Sequence, residues 1–103
     1  MITSLHKELK GQYIELAKQL EEHYPNLDFR NHCYWRIALD NIIRQKWDLV
    51  IGKPAIHHLT EKQLTEVNGL LLNYLSDKSL LLEHNRNSLK FRGKRSGEMD
   101  NAL

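Results

Sequence analysis

Apolar residues in the first quarter of the chain recur at steps of three and four, and that spacing constrains the fold more than any other feature. Leu5, Leu9, Tyr13, Leu16, Ala17, Leu20 and Tyr24 form one stripe on a helix of 3.6 residues per turn. Thr3 or Ser4 can cap the start by accepting an unpaired first-turn amide. Pro25 and Asn26 stop it, because proline restricts the residue before it and donates no hydrogen bond. Composition agrees with a helical chain: leucine occurs 18 times, valine and threonine together five times. Leucine keeps most of its rotamer freedom in a helix, whereas β-branched side chains are crowded at χ1.

A second helix is predicted from Asp28 to about Trp47. Phe29, Cys33, Ile37, Ile43 and Trp47 lie towards one side, and Trp35, Leu39 and Ile42 cover another. A helix apolar around most of its circumference packs neighbours on several sides, so this one should be central. Leu49 to Pro54 should extend or turn, since Gly52 and Pro54 both interrupt helices.

Thr60 followed by Gln63 has the form of a capping box, and the helix it opens carries Leu64, Val67, Leu71 and Tyr74 on one side. Glu61, Lys62, Glu66, Asn68 and Asn73 form its solvated face. Ser76 and Asp77 mark a tight turn and a new cap. The last helix holds Leu80, Leu81, Leu82, Leu89 and Phe91, with Gly93 as its stop. The expected fold is all-α: a small bundle of about four helices, with an irregular loop between helices two and three. Residues 1–93 make one domain, and residues 94–103, KRSGEMDNAL, are too poor in apolar groups to offset ordering entropy and are expected to form a flexible tail.

Candidate chemistry concentrates in residues 28–48. His32, Arg36 and Asp40 are spaced i, i+4, i+8 along the aromatic face that holds Phe29 and Trp47. Charges placed among apolar groups require partners, because an unpaired charge is costly to remove from water. One reading is a structural Arg36–Asp40 ion pair that selects a helix arrangement. The other is a binding site in which Arg36 takes an anionic group, Asp40 orients it, and His32 and Trp47 complete the pocket. Asn85 and Arg86 can extend that pocket, although the polar run Glu83–Ser88 reads first as a solvated face.

Catalytic and metal readings find less footing. Adjacent residues on a helix point about 100° apart, so His32 is badly placed to activate Cys33, and no catalytic residue is assigned. The six histidines lack an HExxH spacing and no CxxC pair occurs, so neither a metal nor a cofactor is expected. Lone Cys33 makes no internal disulfide, which predicts a reducing, cytoplasmic setting. No apolar run approaches the ~20 residues of a membrane span, and the chain opens without the pattern of a secretory leader.

Net charge is +2, and all of it comes from the last 28 residues. Arg86, Lys90, Arg92, Lys94 and Arg95 can contact nucleic-acid phosphates without reading sequence, an alternative partner class. Basic residues near a helix C-terminus also favour the helix dipole. Apolar area left uncovered on so short a chain makes a second copy another candidate partner.

The segment DFRNHCYWRIALDN, followed by KPA and LLLEHNRNSL, resembles a group of short uncharacterised bacterial proteins, some of them labelled acetyltransferases. That resemblance implies small acyl-coenzyme-A-dependent transfer as an alternative activity, with no catalytic residue carried over. From the residues themselves, the expectation is a small binding or regulatory module for an anionic ligand or a protein partner.

Overall fold

The computed structural model describes residues 4–27 and 29–93 and contains four α-helices, with no strand among them. They are α1 (Ser4–His23), α2 (Asn31–Ile43), α3 (Glu61–Ser76) and α4 (Lys78–Phe91). The all-α reading therefore holds. The boundary between domain and tail, like Thr3 and Asp28, lies at or outside the described residues.

α1 packs chiefly on α3, and α2 chiefly on α4, while α2 also touches α1 and α3. Leu9, Tyr13, Ala17 and Leu20 are buried, as the apolar stripe requires. Leu5, counted in the same stripe, is 53% exposed because it lies at the first turn. The far end of α1 is pinned by the Tyr24 hydroxyl, which donates to the Tyr74 carbonyl at 2.6 Å. That bond satisfies a carbonyl near the end of α3, where intrahelical partners run out.

α2 is the central helix. Tyr34, Ile37, Ala38, Leu39 and Asp40 are all buried. Its expected extent needs correction, since the helix ends at Ile43 rather than near Trp47. Arg44 takes a left-handed conformation with φ 63°, and its N–H returns to the Asp40 carbonyl. The chain then makes a short 3-10 turn over Trp47–Leu49 and another over Ala55–His57. Gly52 permits that path, because a Cβ there would lie 3.2 Å from the His58 ring.

The Thr60–Gln63 capping box forms in both directions, with Gln63 N–H to Thr60 Oγ1 at 3.1 Å and Thr60 N–H to Gln63 Oε1 at 2.9 Å. Leu64, Val67, Leu71 and Tyr74 are buried. Asn68, expected on the solvated face, is buried too, and its Nδ2 donates to the Leu9 carbonyl at 2.9 Å. Asp77 alone separates α3 from α4 and caps α4 by accepting from the Leu80 N–H at 2.9 Å. Gly93, with φ 72°, follows the end of α4 as expected.

Candidate functional site

α2 and the connection that follows it form one wall of a groove of about 490 Å³, and α1 forms the other. Tyr13 and Trp35 stack with ring centroids 4.8 Å apart and planes 5° from parallel. The Trp35 indole N–H donates to the Tyr13 carbonyl at 2.9 Å, which fixes the aromatic wall and leaves its surface apolar. Leu39, Trp47, Ala55 and Ile56 continue the lining. His32, Arg36 and Lys53 supply nitrogen groups along it, and no carboxylate belongs to the described lining residues.

Three of the four residues singled out on the second helix thus meet at one groove: His32, Arg36 and Trp47. His32 is exposed. Trp47 reaches the groove from the 3-10 turn rather than from α2. Arg36 is partly buried, and one terminal nitrogen donates to Asn85 Oδ1 at 2.7 Å. Burial pushes its guanidinium pKa down from the usual range, with nearby Arg92 acting the same way and Asp40 opposing it. Lys53 lies 3.2 Å from Asp48, whose own pKa burial would raise. The hydrogen bond from Lys53 and the charge of Lys46 overcome that effect and hold Asp48 below its ordinary value.

Asp40 belongs to the interior instead. It is wholly buried, and both oxygens are occupied. Oδ1 accepts the Trp47 backbone N–H at 2.9 Å and Arg92 Nη2 at 3.2 Å, while Oδ2 accepts Ser88 Oγ at 2.6 Å and Arg92 Nε at 2.7 Å. Helix spacing offered Arg36 as its partner; the partner at ion-pair distance is Arg92, from the end of α4. Buried without solvent, a carboxylate requires this saturation. Asp40 therefore holds the turn that carries Trp47, and it does not line the groove.

Within the polar run of α4, Asn85, Asn87 and Ser88 form a packing face, which corrects their reading as solvated, while Glu83 and Arg86 are exposed as that reading expected. Asn85 bonds Arg36, Ser88 bonds Asp40, and Asn87 Nδ2 donates to Asn41 Oδ1 at 3.2 Å. Its hydrogen-bonding composition was the available signal, since such residues weaken a helix unless their side chains have partners. Arg86 is exposed and forms no part of the groove lining. Of the expected basic surface, Arg86 and Lys90 are exposed, Arg92 is bound to Asp40, and Lys94 and Arg95 lie outside the described residues.

A second, larger cleft of about 860 Å³ lies where α2, α3 and α4 meet. Its central polar groups are bonded to each other and to the backbone. Asn41 Nδ2 donates to the Ile37 and His84 carbonyls, and the Tyr74 hydroxyl lies 2.7 Å from His84 Nδ1. Burial pushes the His84 pKa down, partly offset by Glu83. Among the described residues, no three His, Cys, Asp or Glu side chains are placed to hold a metal, and no helix is long and apolar enough to cross a membrane. No protein-family model matches this chain, and neither a curated protein nor a solved structure matches it.

Proposed function

We propose that the protein is a small cytoplasmic binding or regulatory module whose site is the groove along α1 and α2. The observation that carries this reading is the pairing of an apolar, aromatic lining with Arg36 and Lys53, with no acid among the described lining residues. Convergence of a few polar groups on an apolar concavity is the usual form of a ligand site. The Asn85 oxygen accepts from the Arg36 guanidinium and helps to fix the orientation of its planar fork. The α4 face behind Arg36 thereby serves the groove, although α4 contributes none of its lining.

Backbone and indole resonances of the whole chain, followed by NMR during a ligand screen, test the reading. Shifts centred on Trp35, Arg36 and Trp47, and abolished by Arg36→Met in a folded variant, are expected. Shifts that centre instead on Arg86 and Lys90 upon adding a DNA duplex would move the function to the basic end.

A further inference from the structure

We propose that a trough between α1 and α3 is a second site, selective for a primary ammonium carried on an apolar body, with an N–H on Asn68 Oδ1 and the charge beside Glu15. The trough shares no lining residue with the groove along α1 and α2. Its volume, about 340 Å³, lies within the span of small-molecule sites. Leu9, Leu16 and Leu72 supply an apolar wall, and Leu72 is 58% exposed. An aryl or alkyl body laid against that wall gains from the area it buries. Gly69 leaves the α3 backbone bare along the trough, where a Cβ would meet nothing within 4 Å. Glycine is a poor residue for a helix interior, and no packing among the described residues requires it there.

Asn68 sets what the occupant must bring. It is 6% exposed, and its Nδ2 donates to the Leu9 carbonyl at 2.9 Å. That bond fixes which end of the carboxamide is which, because a flipped amide would set two acceptors against each other. Oδ1 is left buried with no hydrogen-bond partner among the described residues. A buried oxygen without a donor is costly, so an entering N–H gains what the fold leaves unmade. Gln12, Gln19 and Leu72 are exposed along the trough and can turn aside to admit it. Charge then narrows the donor to a cation. Glu15 is the one charged side chain among the described lining residues. Its Oε1 accepts from Gln19 Nε2 at 3.5 Å, a long contact with a neutral amide that does not cancel the charge. A carboxylate would be repelled by Glu15 and find only another acceptor in Asn68 Oδ1, whereas an ammonium offers three donors and the opposite charge. Its compact head suits a single oxygen better than a guanidinium, whose flat fork favours a partner with two.

Calorimetric titration of the full chain with 4-phenylbutylamine, 4-phenylbutanol and 4-phenylbutyltrimethylammonium, with NMR of the Gly69 amide and the Asn68 carboxamide, tests the assignment. The amine should bind about tenfold tighter than the alcohol, which has a donor and no charge. It should also bind tighter than the quaternary ammonium, which has the charge and no N–H. Glu15→Gln should weaken amine binding by about fivefold and leave the alcohol unchanged. Glu15 is exposed on α1, and thermal unfolding confirms that the variant is folded. Shifts at Gly69 and Asn68 in the unmodified chain carry the test independently of any variant. Equal affinity for the primary and quaternary ammonium would overturn the bond to Asn68, the outcome if a water alone satisfies that oxygen. Equal affinity for amine and alcohol would overturn the ligand class. Shifts confined to the Trp35 and Trp47 indoles, or none at Gly69 and Asn68 with any probe, would remove the trough as a site and leave the α1–α2 groove untouched.

Discussion

Arg92 Nε donates to Asp40 Oδ2 at 2.7 Å and so ties the end of the last helix to the middle of the second. The same carboxylate accepts the backbone N–H of Trp47, which lines the groove. One buried side chain thereby fixes three separate parts of the chain. Asp40→Asn should destabilise the protein by about 3–5 kcal/mol, because Arg92 is left desolvated without its counter-ion. Urea unfolding at neutral pH measures this. The double variant Asp40→Asn, Arg92→Met should recover part of the loss, a coupling expected of residues in direct contact.

Arg36 and Asp40, one helical turn apart, should separate by phenotype. Arg36→Met removes the hydrogen bond to the neutral Asn85 oxygen, a loss of about 1 kcal/mol for that bond. Its effect should fall on ligand binding, whereas that of Asp40→Asn falls on folding. Parallel urea unfolding and calorimetric titration of the two variants check the separation. Equal stability losses would contradict it.

The Thr60 cap is an independent local contribution. Thr60→Ala removes the acceptor for the Gln63 N–H and should cost about 1 kcal/mol. Thermal unfolding should show a lower Tm with groove binding unchanged, since Thr60 does not line the groove.

Arg44 occupies a left-handed conformation that a glycine adopts without the clash of a Cβ. Arg44→Gly should therefore raise stability by about 0.5–1 kcal/mol, less any loss from greater freedom of the unfolded chain. Urea midpoints of the two proteins, compared at constant slope, provide the measurement.

His84 gives stability a dependence on pH. Burial lowers its pKa in the fold, so below the ordinary value of 6.5 the unfolded chain takes up a proton that the folded chain resists. The contribution is complete above 6.5 and is lost as pH falls through the lower folded value. His84→Gln should flatten that part of the curve relative to the unmodified protein. Unfolding free energies measured between pH 5 and 8 would show it, and a parallel offset of the two curves would refute it.

Most helices were legible because their signals are local. The stripe of α1, the capping box of α3 and the Asp77 cap of α4 each depend on residues within one or two turns. The gathering of polar residues on the second helix was legible too, but periodicity could not say which faced a groove and which faced the interior. Arg36 and Asp40 lie one turn apart, and the deciding partners, Asn85, Ser88 and Arg92, are 48 to 52 positions from Asp40 or 49 from Arg36.

The end of α2 shows the same division. No glycine or proline marks Ile43, and Arg44 is an unusual residue for a left-handed turn. Asp40 accepting the Trp47 amide draws the chain back, and the Arg92 counter-ion makes that buried carboxylate tenable. Sequence alone determined that this protein would be four helices around a central second one, because apolar spacing and caps act over a few residues. Tertiary structure decided that Arg36 lines the groove while Asp40 locks the fold, because a buried charge goes where its partners are, and those partners come from a distant helix.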